Sequence, residues 1–160
     1  MAGCLEMDDP VLLLLKLLRD NWTETDPALA SIEIMLESPN KDQKNPQLCV
    51  MRPSPEQYFT SAQRRTDEQA MDIGASPTRY VREAITVIVA VKRVGSQNIS
   101  TGLVTRWRAI EEIRRIIKTY GTTVTGIKQY SLEGWMHDDG KEFDPTIFLS
   151  RSTVVAKYFK

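Results

Sequence analysis

At 160 residues the chain is long enough for one domain, and such a domain buries roughly two thirds of the surface its unfolded chain exposes, so neither metal nor disulfide is needed to hold it together. Its 21 Lys and Arg balance 21 Asp and Glu. This removes the basic excess expected of a protein that tracks duplex DNA by its phosphates, and it leaves copies of the chain without mutual repulsion.

The first element is a helix. Asp8 or Asp9 caps it and Pro10 suits its first turn, where the missing N–H costs nothing. Val11, Leu14, Leu15, Leu18 and Trp22 follow helical spacing, while Leu12, Leu13 and Leu17 widen the apolar face. A helix this apolar must be covered on more than one side, by its own sheet or by a neighbouring subunit. The apolar run 11–18 is too short for a membrane span, which needs roughly 20 residues. Glu6, Asp8 and Asp9 before it are opposite in charge to a signal peptide, so synthesis in the cytoplasm is expected.

Residues 31–37 alternate, with Ile32, Ile34 and Leu36 on one face, and predict a half-buried strand. A charged loop follows, then a short strand over 48–51 that Pro53 and Pro55 stop. Residues 52–78 have little apolar periodicity. Ser54-Pro55-Glu56-Gln57 resembles a capping box, and Arg64 and Arg65 stand in this stretch. It is expected to be a loop or mobile arm that orders against a partner.

Residues 79–94 are the strongest strand, with Val81, Ile85, Val87, Val89 and Val91 on its core face. A helix over 102–120 follows. Leu103, Trp107, Ile110, Ile113, Ile117 and Tyr120 predict its apolar side, which places Trp107 in the core. Arg108, Arg114, Arg115 and Lys118 line its polar side, with Gly121 as a left-handed cap. A strand over 122–132 with a bulge at Gly126, the turn Asp138-Asp139-Gly140 and a final strand over 147–159 complete the chain. The expected fold is α+β, one domain over 1–160. It has a mostly antiparallel sheet of about five strands with both helices on one face, in the order α-β-β-β-α-β-β, and a long insertion between strands 2 and 3.

No catalytic constellation, phosphate loop or cofactor motif is present in this reading. Cys4 and Cys49 lack CxxC spacing, and a pair of cysteines in an intracellular chain is expected to be reduced. His137, Asp138, Asp139, Glu142 and Asp144 match neither a zinc spacing nor the order of a calcium loop, so a solvated turn is expected there. The basic row on the second helix is interrupted by Glu111 and Glu112, which favours a solvated or subunit-facing surface over a phosphate contact. Trp22, Arg64, Arg65, Arg114, Arg115 and Trp135 are the candidate interface residues.

The long strand Tyr80-Val81-Arg82-Glu83-Ala84-Ile85-Thr86-Val87-Ile88-Val89-Ala90-Val91 leads to an amphipathic helix with Trp107 near its start. A further strand then runs through Trp135 and an acidic turn to a last strand ending in Thr153-Val154-Val155-Ala156-Lys157-Tyr158. With the N-terminal helix, this order of elements resembles the tail terminator, or tail-completion, proteins of long-tailed phages and archaeal viruses. It covers most of the chain, residues 80–160 best, and contains no signature motif. The resemblance implies a structural, non-enzymatic virion protein, assembled in the host cytoplasm. Such a protein forms a ring, usually a hexamer, on the last ring of tail-tube subunits and stops tube growth. It then offers a surface to the head–tail connector or neck protein. DNA would pass through the ring without sequence-specific binding, and no membrane is involved. The insertion over 52–78 is larger than the family pattern. The alternatives are a head-closure or neck protein, a nucleic-acid-binding module using Arg64, Arg65 and the helix row, and an enzyme with a carboxylate site near Asp138 and Asp139.

Overall fold

The computed structural model describes residues 9–36, 39, 46–52, 66–71, 78–92, 99–138 and 147–159. Its elements are α1 (Pro10–Asn21), β1 (Glu33–Met35), β2 (Gln47–Met51), β3 (Thr66–Met71), β4 (Thr78–Lys92), α2 (Ile99–Tyr120), β5 (Gln129–Leu132), β6 (Met136–Asp138) and β7 (Ile147–Phe159). The fold is α+β, as the sequence pattern predicts.

Two long antiparallel strands, β4 and β7, pair from Tyr80↔Phe159 to Lys92↔Ile147 and form the spine of one mixed sheet. Shorter strands flank each. β2 pairs antiparallel with β4 over Thr86–Ala90, and β3 pairs with it over Thr78–Glu83. On the outer side of β7, β5 pairs at Val154–Lys157 and β6 at Leu149–Arg151. β1 adds to β2 in parallel.

Four details differ from the sequence expectation. The first strand is only Glu33–Met35 and runs parallel to its neighbour, so the sheet is mixed. Part of the 52–78 stretch is β3 in the sheet, which limits any arm to the remainder; the residues of the capping-box pattern lie outside those described. Residues 121–128 are turns, and the strand expected from Thr122 begins at Gln129; Gly126, at φ 89°, is a turn residue and not a bulge within a strand. β6 is an extra short strand that pairs antiparallel with β7, beside the antiparallel pairing of β5 with β7.

Side-chain alternation decides where the core sits. Leu48 and Val50 of β2, Val81, Ile85, Val87, Val89 and Val91 of β4, and Val154, Ala156 and Tyr158 of β7 project to one face. There they meet Val11, Leu14, Leu15, Leu17 and Leu18 of α1 and Ala109, Ile110, Ile113, Ile116 and Ile117 of α2. Both helices therefore pack on the same face. The opposite face is also buried over its centre, at Cys49, Thr86, Ile88, Ala90, Ile147 and Val155. Cys4 lies outside the described residues.

The start of α1 is fixed by polar contacts. Asp9 caps the helix by accepting from the Val11 amide at 2.9 Å, and the Arg52 guanidinium reaches Asp9 at 2.6 Å and Glu83 at 3.5 Å. The Tyr158 hydroxyl bonds the second oxygen of Glu83 at 3.1 Å, so this buried carboxylate is satisfied on both oxygens. The Tyr130 hydroxyl donates to the Pro10 carbonyl at 2.6 Å. Burial, and then the negative charges of Glu83 and Asp9, push the Tyr130 phenol well above its ordinary value.

A raised folded-state value means that the native chain keeps the Tyr130 proton when the unfolded chain loses it. Stability is then full below about pH 10 and falls by roughly 1.4 kcal/mol per pH unit above it. In urea melts of the chain and its Tyr130→Phe variant, the alkaline loss should be steep in the former and shallower in the latter. Equal slopes above pH 10 would contradict this role for Tyr130.

Candidate protein–protein interface

The candidate basic residues are largely engaged inside the chain. Arg115 pairs with Glu112, whose side chain is 7% exposed, through both its Nε and its terminal nitrogen, and it also donates to the Asn21 carbonyl at 2.8 Å. Glu112 in turn accepts from the Thr23 amide at 2.7 Å. The pair thus binds the C-terminal end of α1 to the middle of α2. Glu112 holds the Arg115 guanidinium above its ordinary value.

Arg108 bonds Asp26 at 3.2 Å, and Arg114 bonds Glu111 at 2.6 Å. These three basic side chains have carboxylates within the fold, which weighs against a row open to phosphates. Arg64 and Arg65 lie outside the described residues.

Trp22 and Trp135 are core-edge residues. Each is partly buried against the apolar cluster. The Trp22 indole donates to the Leu29 carbonyl at 3.1 Å. The buried Trp135 indole N–H finds no acceptor among the described residues. Neither ring offers a large exposed anchor.

Trp107 does. It is 60% exposed, beside Val104 at 46% and Leu103 at 36%. This overturns its expected place in the core, for a geometric reason. The spacing Leu103, Trp107, Ile110, Ile113, Ile117, Tyr120 contains more three-residue than four-residue steps. Such a line drifts by about 100° around a helix of 3.6 residues per turn. The buried stripe is centred on Thr105, Ala109, Glu112, Ile113 and Ile116 and takes in Ile110 and Ile117 of that line. Two polar members, Thr105 and Glu112, hide that stripe from a reading by hydrophobicity, and Leu103, Val104 and Trp107 are left on the far side.

The sheet edges at the two ends of the strand order are partly closed. The Arg19 guanidinium donates to the Ile34 carbonyl on the outer side of β1, at 3.0 and 2.6 Å. On β5, the Tyr130 amide donates outward to the Gly121 carbonyl at 2.9 Å. Blocking such groups is how sheets avoid adding strands from other chains. At these positions association through strand addition is disfavoured.

Among the described residues, His137 and Asp138 form no convergent site. His137 Nδ1 bonds the Ser150 hydroxyl at 2.8 Å, and Asp139, Glu142 and Asp144 lie outside the described residues. Among the described residues, no three His, Cys, Asp or Glu side chains group as metal ligands, and no helix is long and apolar enough to cross a membrane.

Compared with known proteins, the chain matches no family and no curated relative.

Proposed function

We propose that the chain is a virion assembly protein. In this reading copies of it form a ring that caps the tail tube, ends tube polymerisation and joins the tail to the head connector or neck. The observation that carries this is the exposed Leu103–Val104–Trp107 surface on α2, flanked by basic side chains that already have partners. Large exposed apolar side chains on one helix face mark a contact surface for protein. A neutral setting suits a partner that is itself near neutral, and this chain carries no net charge.

A two-layer α+β tile with a rigid double-length spine suits such an assembly. Paired strands do not flex between subunits, and the helical layer presents distinct surfaces for neighbours. The tube-capping role itself rests on the resemblance of the sequence pattern to tail terminators.

The test is microscopy. Concentrated protein in negative stain is expected to give rings with a central hole. Mixed with tail-tube subunits of the same virus, these rings should sit on tube ends and stop elongation. Rings that bind the connector but leave tube growth unchanged would instead assign a head-closure role. Isolated particles with salt-sensitive binding to DNA would overturn the proposal in favour of a nucleic-acid module.

A further inference from the structure

Resting on the assembly reading above, we infer which surfaces meet: the leading turns of α2 on one copy pack head-to-tail on the first turns of α1 on the next copy. Two surfaces on the chain make this possible, and they stand at opposite ends of the helical layer.

The α2 surface lies over one end of the sheet spine. A Cβ at Gly102 would touch the Phe148 ring at 3.4 Å and lie 3.7 Å from the Lys92 carbonyl, so this turn sits on the Val91–Phe148 row. The start of α1 is fixed at the other end, through Arg52, Glu83 and Tyr130, on the Glu83–Ala156 row. Those rows are eight residues apart along β4, about 26 Å at the rise of a strand. Leu12, in the first turn of α1, is 47% exposed although it belongs to an otherwise buried leucine run. Lys16 is exposed one turn further along the same stripe.

The two surfaces are complementary and not alike. One offers an indole face with two aliphatic side chains. The other offers an aliphatic side chain with an ammonium one turn away. An ammonium placed over an indole face is attracted by the ring quadrupole, and Leu12 would fill the space beside Leu103 and Val104. Another exposed aromatic ring, Phe159, already has the Lys128 ammonium 5.3 Å from its centroid.

The unlike character of the two surfaces favours head-to-tail contact over a pair that brings like surfaces together. The α2 surface exposes on the order of 300 Å² of apolar side chain, against about 800 Å² per partner in a stable interface. It is sized as the centre of a contact rather than the whole of one. A two-fold axis through the α2 surface would bring it onto itself, leaving the indole without a cation. Head-to-tail contact joins unlike surfaces and leaves one of each for the next copy, which is the condition for a closed ring.

Sedimentation velocity on the full chain separates the possibilities. The parent chain is expected as a ring. Trp107→Glu and Leu12→Glu, both at exposed positions, should keep the parent's thermal melt, associate about 100-fold more weakly, and sediment as single copies. An equimolar mixture of the two should form 1:1 pairs and no ring, because only the Leu12→Glu copy retains a working α2 surface and only the Trp107→Glu copy a working α1 surface. Rings that survive either substitution, or folded variants that fail to pair when mixed, would overturn this contact while leaving the ring intact as a proposal. A parent chain that stays single would remove the assembly reading itself.

Discussion

Gly121→Ala should destabilise the chain by about 3 kcal/mol, as large an effect as removing a buried leucine side chain. The reason is space and not backbone freedom. Gly121 was expected as a left-handed cap, yet among the described residues positive φ occurs at Gly126 alone. A Cβ at Gly121 would collide with the Ile117 carbonyl oxygen and lie 3.0 Å from that of Tyr130. Both are backbone atoms held in place, because the Gly121 amide donates to Ile117 and its carbonyl accepts from Tyr130, each at 2.9 Å. Any shift that relieves the collision breaks the last bond of α2 or the outer edge of β5. Chemical denaturation of the variant checks this. A loss below about 1 kcal/mol, the ordinary helix-propensity scale, would show that the junction yields easily.

Arg115→Ala should lower stability by about 2 kcal/mol and leave association unchanged. Arg115 itself is half exposed, so its own charge interaction is screened and contributes little. The loss arises at Glu112, whose carboxylate is almost fully covered and would keep only the Thr23 amide. Removing both partners separates this from a surface effect: Arg115→Ala combined with Glu112→Ala should lose less than the two single losses added together. Additive losses, or a change in assembly without a change in melting, would return Arg115 to the interface role read from the sequence.

Helix and strand positions were legible where one periodicity held over many residues. β4, at 15 residues, and β7, at 13, are long runs rich in β-branched and aromatic residues, and Pro10 with Asp9 marks the start of α1. What escaped was decided by tertiary context. β1 is three residues long and owes its place to pairing with β2, not to its own pattern. β3, Thr-Asp-Glu-Gln-Ala-Met, carries no apolar alternation and is in the sheet because β4 extends far enough to receive it. Among the candidate site residues, charge and ring size were visible but direction was not. Arg114 and Arg115 turned to carboxylates three residues back, and Trp22 and Trp135 turned to the core edge. Trp107 showed the reverse, since polar Thr105 and Glu112 occupy the buried stripe that its own side of α2 was expected to fill.

We propose that this chain works by joining copies of itself through rigid surfaces. Native mass spectrometry at micromolar concentration decides whether it does. A closed ring, about 109 kDa for six copies of an 18.2 kDa chain, with its mass lost on Trp107→Glu, is the predicted result. A single folded copy at every concentration would contradict it.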